Sequence, residues 1–106
     1  MTTEIYVRPD LLIPFGSLHG GFLSALVDHV LGAVLYPLIP PGTWAATTEF
    51  KLNLIAPVRE GTLSASSEVI AMSRRTAVVR IDATVGERLV GAAQGTVTIT
   101  EPKPAA

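Results

Sequence analysis

The residues best suited to chemistry lie in one short segment, His19-Gly20-Gly21-Phe22-Leu23-Ser24-Ala25-Leu26-Val27-Asp28. Two adjacent glycines at the start of a helix let the backbone approach a ligand closely, with N–H groups directed outward. Such groups bind anions and developing oxyanions. Asp28 is a lone carboxylate on an apolar helix, which is costly to bury unless it has a function or a partner. The segment predicts an oxyanion-binding backbone together with a catalytic carboxylate.

The spacing of these two groups predicts that they act from different subunits. Asp28 follows Gly20 by eight residues in one helix, a separation of about 12 Å at a rise of about 1.5 Å per residue. Catalysis requires both groups within about 3 Å of the reacting atoms. One helix cannot supply both to the same carbonyl, so Gly20 or Gly21 of one subunit must meet Asp28 of another. We therefore expect a two-fold dimer with two composite sites.

One helix followed by a run of strands must position these residues. The helix is expected from about Gly20 or Gly21 to Tyr36, and Pro37 stops it. It is apolar on nearly every side, which predicts burial all round. Partly alternating residues and turn signals predict strands at residues 4–7, 44–56, 62–72, 76–85 and 89–100. A strongly twisted sheet of these strands can curl around a single helix.

Length and charge limit the possible classes of protein. We expect one domain over residues 1–100 and a disordered tail at residues 101–106. Hydrophobic residues make up 48% of the chain, which is rich for a domain this small and indicates that a second copy covers part of it. The net charge of −1 provides no attraction for nucleic acid or anionic lipid.

Metal sites, secretion and membrane insertion are not expected. The chain has no cysteine, and its two histidines are too few for a convincing metal site. The first ten residues lack the apolar core of a signal peptide. The apolar stretch at residues 22–41 is interrupted by Asp28, His29 and three prolines, which argues against a membrane span. The expected location is the cytoplasm.

The string GSLHGGFLSALVD at residues 16–28 resembles the signature of the PaaI-type acyl-CoA thioesterases. Three further pieces fit this family: TTEFKLN followed by LIAPV at residues 47–58, Gly61 after a turn, and Arg74-Arg75 opening a strand. The likeness covers roughly residues 16–99. It implies an α+β hotdog fold, in which a twisted antiparallel sheet wraps one long central helix.

The resemblance also implies a function. Such enzymes hydrolyse the thioester of an aryl-acyl or medium-chain acyl-coenzyme A, as homodimers and homotetramers, with no cofactor beyond the coenzyme A of the substrate. The family aspartate maps onto Asp28, as the nucleophile or as the base for water. The N–H that polarises the carbonyl maps onto Gly20 or Gly21, and the Ser/Thr that assists the carboxylate maps onto Thr47 or, less well, Thr48.

Neighbouring residues are expected to bind the substrate. Phe15, Phe22 and Leu23 are expected to line the acyl pocket together with the partner helix, and Ser24 leaves space beside the carboxylate. Thr48 is a further candidate for contact with the substrate if it does not assist the carboxylate. The acyl chain therefore lies, on this interpretation, between two subunits.

Three positions have open roles. His19 either orients the turn or takes part directly in catalysis. Arg74 and Arg75 either form a solvated turn or hold the phosphates of coenzyme A.

This chain departs from the family pattern at two positions, and the first of them is the best support for a rival hypothesis. The family often has an Asn before the motif, where this chain has Ile13-Pro14, and a Gly where it has Ser73. A non-catalytic acyl- or CoA-binding or assembly module on the same fold is therefore the alternative, since fold alone does not determine function. A hydratase of this fold is weaker because its His/Asp spacing is not seen.

Overall fold

The computed structural model describes residues 2–6 and 20–101, where one helix packs against a five-stranded antiparallel sheet. The elements are β1 (Thr2–Tyr6), α1 (Gly20–Ala33), a 3-10 helix (Tyr36–Leu38), β2 (Trp44–Leu54), β3 (Thr62–Met72), β4 (Thr76–Val85) and β5 (Arg88–Thr100). The strand order is β1-β3-β4-β5-β2, with every neighbouring pair antiparallel. The α+β hotdog arrangement implied by the resemblance is confirmed.

The helix ends three residues earlier than its apolar pattern predicts. Regular α-helix stops at Ala33, and the amide of Leu35 donates to the carbonyl of Gly32 at 3.2 Å, a tighter i→i+3 bond. Pro37 lies within the following 3-10 helix, and it has no amide hydrogen to donate to the carbonyl of Ala33, four residues earlier. The α-helix therefore cannot continue through Pro37, and it ends at Ala33.

Strand β2 also ends earlier than predicted, and it forms one edge of the sheet. Its last residue is Leu54, because the amides of Ile55 and Ala56 both donate to the carbonyl of Val90, at 2.9 and 3.2 Å. Among the described strands β2 pairs only with β5, so its other edge is open in a single protomer.

Two glycines of β5 let the helix lie close to the sheet. A Cβ atom added at Gly91 would lie 3.2 Å from Leu23 Cδ2, and one added at Gly95 would lie 2.9 Å from Leu31 Cδ1. Leu23 and Leu31 are eight residues apart in the helix, about 12 Å, and Gly91 and Gly95 are four residues apart in the strand, about 13 Å. Because Leu23 lies over Gly91 and Leu31 lies over Gly95, the helix runs in the same direction as β5 and opposite to β2.

The helix contributes one face to the hydrophobic core and exposes the other. The prediction that it is buried all round is wrong for a single protomer, because the sheet covers only one side of it. Its buried residues are Leu23, Leu26, Val27, Val30 and Leu31. Its exposed residues are Gly21, Phe22, Ala25, Asp28 and His29.

The segment Gly20–Leu38 is long and apolar enough to cross a membrane when judged by length and composition alone. In this fold part of the segment packs in the core against the sheet. Other apolar side chains of the segment, among them Phe22, Tyr36 and Leu38, are exposed in a single protomer.

Candidate active site

Asp28 lies on the side of α1 that faces the edge strand β2. A Cβ atom added at Gly20 would lie 3.1 Å from Leu54 Cδ1, and one added at Gly32 would lie 3.9 Å from the carbonyl oxygen of Ala45. Residues four apart share one side of a helix. Asp28 falls between these two contacts on the same side, so it lies beside the middle part of β2.

Ser24 occupies the same side of the helix, midway between Gly20 and Asp28. It is half-buried, and its hydroxyl donates to the carbonyl oxygen of Gly20 at 3.1 Å. This bond turns the side chain back along its own helix, so little of it projects outward. No long side chain therefore projects from the helix surface between Gly20 and Asp28, as expected for a place where a substrate or a second helix approaches.

The carboxylate of Asp28 is exposed, and it makes no hydrogen bond or ion pair with the residues that the structure describes. It shares α1 with Gly20, at a helical separation of about 12 Å. One protomer therefore does not bring the carboxylate and the first-turn amides of Gly20 or Gly21 to one carbonyl. The spacing argument from the sequence applies to the observed helix without change.

Thr47 and Thr48 lie on opposite faces of the sheet, as adjacent residues of a strand do. The β-bulge between Thr47 and Glu49 interrupts this alternation one residue later, so that Thr48 and Glu49 are both on the outer face. Thr47 pairs with Val97, which is buried on the helix side. Thr48 lies on the outer face, where its hydroxyl is 2.5 Å from that of Thr98. Of the two threonines, Thr47 is directed to the side of the sheet that carries Asp28.

The predicted acyl-pocket residues have different environments. Phe22 is 38% exposed, on the part of α1 that faces away from the sheet. Leu23 is 4% exposed and packs inside its own protomer over Gly91. Phe15 and His19 lie outside the described residues.

Arg74 and Arg75 lie in the exposed turn between β3 and β4. The guanidinium of Arg74 donates from Nε and Nη2 to Oε1 of Glu101, at 3.2 and 3.0 Å. The Arg75 side chain makes no such contact within the described part of the chain, and only its carbonyl is engaged, accepting from Ile99 at 2.7 Å. The two cations are therefore not equivalent.

A groove of about 180 Å³ lies beside this turn. Its lining includes the apolar side chains of Ile39, Met72 and Ile99, together with Arg74 and Glu101. Its apolar walls would suit an apolar body, and the charge of Arg74 there is offset by the carboxylate of Glu101, 3.0 Å away.

Tyr36 was not singled out from the sequence, yet it contacts the edge strand. Its hydroxyl accepts a hydrogen bond from the amide of Ala45 at 3.4 Å. This contact closes the first part of the open edge and leaves the rest of β2 available. The sequence pattern does not predict this hydrogen bond, because Tyr36 and Ala45 meet only after the chain turns.

The residues that the structure describes contain no cluster of three or more His, Cys, Asp or Glu side chains able to hold a metal ion. The groups that the described residues offer at this site are the carboxylate of Asp28, the hydroxyl of Thr47 and the first-turn backbone amides of α1. Such groups suit attack on an activated carbonyl, in which charge develops on oxygen and a proton must be removed from water.

Comparisons with known proteins agree with this chemistry. The thioesterase superfamily matches residues 15–92. A thioesterase from Haemophilus influenzae is 25% identical with a TM-score of 0.89, over 94% of this chain and 71% of the other. A Staphylococcus aureus thioesterase, solved as a mutant, is 28% identical with a TM-score of 0.89, over 93% and 84% of the two chains.

A third structure shows the fold alone. It is a Bacillus halodurans protein with CoA, 19% identical with a TM-score of 0.89, over 96% of this chain and 68% of the other. No curated protein sequence matches this chain.

Proposed function

Because this chain belongs to the thioesterase superfamily and is a thioester hydrolase, we propose that its substrate is an aryl-acyl or medium-chain acyl-coenzyme A, hydrolysed in a homodimer. The observation that carries this proposal is the position of Gly20 and Asp28 on one side of α1, beside the open edge of β2. An oxyanion donor and a carboxylate are the two groups that thioester hydrolysis needs.

The open edge of β2 supports a dimer with two shared sites. An edge strand presents unpaired amides and carbonyls, and pairing with a second copy satisfies them. Two β2 strands joined around a two-fold axis would set their α1 helices side by side and antiparallel. Gly20 of one protomer then approaches Asp28 of the partner subunit, and the reverse contact forms the second site. Assembly of such dimers into a homotetramer is part of the same proposal.

The reaction follows from the groups at each shared site. A first-turn amide, from Gly20 or Gly21, donates to the thioester oxygen, with the positive end of the helix dipole behind it. Asp28 either removes a proton from the attacking water or attacks the carbonyl carbon itself to form an anhydride that water then hydrolyses. In both routes the C–S bond breaks, coenzyme A leaves as the thiol after taking up a proton, and the acyl group leaves as a carboxylate.

Thr47 and His19 assist in this proposal. The hydroxyl of Thr47 is on the helix side of the sheet and half-buried, where it can orient Asp28 or the water. His19 immediately precedes the glycines, where it would orient the turn or contact the reacting groups.

The acyl group would lie between subunits against Phe22, with Phe15 and Leu23 completing the pocket. The exposure of Phe22 in a single protomer supports this position, because an apolar ring on the surface gains from being covered. Ser24 supplies space through its short side chain. A contact of Thr48 with the substrate stays a prediction.

The nucleotide end of coenzyme A would reach Arg74 and Arg75. Guanidinium groups bind phosphates through charge-assisted hydrogen bonds. The neighbouring groove offers an apolar surface at the same end of the molecule. The fold similarity to a protein solved with CoA supports a site for this ligand. A cytoplasmic location and the lack of any separate cofactor belong to the same proposal.

A panel of acyl-coenzyme A thioesters tests the proposal, with release of the free thiol followed by a thiol reagent. We expect turnover of aryl-acyl or medium-chain substrates, and its loss in Asp28→Ala. Binding of these thioesters without thiol release would instead support the non-catalytic acyl-binding module.

A further inference from the structure

The carboxylate of Glu101 lies at the turn proposed to bind the phosphates of coenzyme A. Its Oε1 atom accepts hydrogen bonds from Nε and Nη2 of Arg74, at 3.2 and 3.0 Å. A bound phosphate would compete for the same guanidinium and would be repelled by the carboxylate. Provided that coenzyme A binds at this turn, as proposed above, we infer that Glu101 opposes this binding. It thereby determines how strongly the protein discriminates between coenzyme A and an uncharged thiol carrier such as pantetheine.

Strand pairing brings Glu101 to this turn. Glu101 directly follows β5, and β5 pairs with β4, where Thr98 lies opposite Thr76. The amide of Ile99 donates to the carbonyl of Arg75 at 2.7 Å, which ties the end of β5 to the turn itself. Backbone hydrogen bonds of the sheet therefore hold this carboxylate near the turn, and it stays there when a ligand replaces its ion pair.

The ion pair is exposed, so a ligand can replace it at little cost to the fold. The side chains of Arg74 and Glu101 are 79% and 59% exposed. Exposed ion pairs contribute little to stability, because water screens both charges. One carboxylate oxygen accepts both hydrogen bonds, whereas a bidentate pair uses two oxygens. The carboxylate therefore weakens phosphate binding at this turn without preventing it.

Removing the negative charge of Glu101 would leave two cations at the turn. The Arg75 side chain makes no hydrogen bond or ion pair within the described part of the chain, so only Arg74 has its charge offset there. Two unit charges about 4 Å apart in water interact with an energy that changes an affinity about fivefold. Pantetheine carries no phosphate and gains nothing from the change. The carboxylate therefore acts selectively on the carrier that bears the nucleotide.

Glu101→Gln tests this role, because it removes the charge and keeps the size of the side chain. Isothermal titration with coenzyme A itself measures the effect and needs no turnover. Glu87→Gln is the matched control, since it makes the same change in net charge in the exposed turn after β4. The 10 residues of β4 hold it about 30 Å from the turn that contains Arg74. Both glutamates are exposed, so both variants are expected to fold.

We expect Glu101→Gln to lower the Kd for coenzyme A about fivefold and Glu87→Gln to leave it unchanged. Pantetheine should bind both variants as it binds wild type. The gain in Glu101→Gln should shrink at about 0.5 M salt, because added salt screens exposed charges. The KM for acyl-coenzyme A should fall by the same factor with kcat unchanged, since Glu101 is not among the reacting groups.

Three results overturn the role of Glu101: a Kd for coenzyme A no lower in Glu101→Gln than in Glu87→Gln, an equal gain for pantetheine, or a gain that salt does not diminish. Thiol release by wild type tests the proposed function separately. Tighter binding of coenzyme A by Glu101→Gln without any thiol release keeps the role of Glu101 and loses the hydrolase substrate. Hydrolysis of acyl-coenzyme A with no change of Kd or KM in Glu101→Gln does the reverse.

Discussion

Leu31 of α1 lies so close to Gly95 of β5 that a Cβ atom added at Gly95 would come within 2.9 Å of its Cδ1 atom. Phe50 Cβ and the carbonyl oxygen of Glu49 would be equally close, at 2.8 and 2.9 Å. Any side chain at residue 95 must displace both the helix and the neighbouring strand. The depth at which the helix lies on the sheet, and with it the position of Asp28 beside β2, therefore depends on a glycine in β5.

Replacing Gly95 with alanine should destabilise the protein by about 1–3 kcal/mol, the cost of overpacking a filled core. Urea unfolding followed by circular dichroism measures the change. Gly32→Ala is the control, because its Cβ atom would meet nothing closer than 3.9 Å. Alanine inside a helix is favoured over glycine by about 1 kcal/mol, so this variant should be at least as stable as wild type. Equal stability of Gly95→Ala and wild type would contradict the packing described here.

Asp28→Asn should lower kcat for acyl-coenzyme A by a factor of about 10² or more, because the amide neither accepts a proton from water nor attacks the carbonyl. Thiol release measures the rate, and sedimentation should show the same oligomer as wild type. His29→Gln, at an adjacent exposed position, is the matched control and should keep its rate. A wild-type kcat in Asp28→Asn would remove the proposed role of this carboxylate.

Thr47→Val should reduce kcat about tenfold, the effect of losing one hydrogen bond of roughly 1.4 kcal/mol at the reacting groups. Thr48→Val should have a smaller effect on kcat, since its hydroxyl lies on the outer face against Thr98. Steady-state kinetics on one acyl-coenzyme A measure both variants. A larger loss of kcat in Thr48→Val than in Thr47→Val would reverse the assignment of the assisting hydroxyl.

Arg75→Ala should raise KM for acyl-coenzyme A about tenfold or more, because a hydrogen bond to a charged group contributes about 1.5–3 kcal/mol. Arg74→Ala should raise it less, since Arg74 already binds Glu101. The same acyl group on N-acetylcysteamine, which lacks the phosphates, should show no change in either variant. Equal effects of Arg75→Ala on the two substrates would show that this residue does not bind the nucleotide.

Much of the local structure is predictable from the sequence because it depends on neighbouring residues. The start of the helix at the glycine pair and the bounds of β3 and β4 agree with the structure. The helix and β2 were predicted too long, because the chain after each of them retains apolar residues. Their true ends depend on the tightened turn before Pro37 and on hydrogen bonds from residues 55 and 56 to Val90.

The candidate site, too, was only partly predictable from the sequence. Asp28 and the glycine pair are candidates from residue type and spacing along one helix. Strand alternation predicts that Thr47 and Thr48 lie on opposite faces, but the register of β2 against β5 decides which of the two faces the helix. The pairing of Arg74 rather than Arg75 with a carboxylate depends on Glu101, which is distant in sequence.

The sequence by itself determined that a carboxylate and an amide-rich turn share one helix at a separation too great for one reaction centre, since the helical rise is a local constant. Only the tertiary structure decided that this side of the helix lies along an open edge strand, because strand order and the approach allowed by Gly91 and Gly95 arise from contacts between distant parts of the chain.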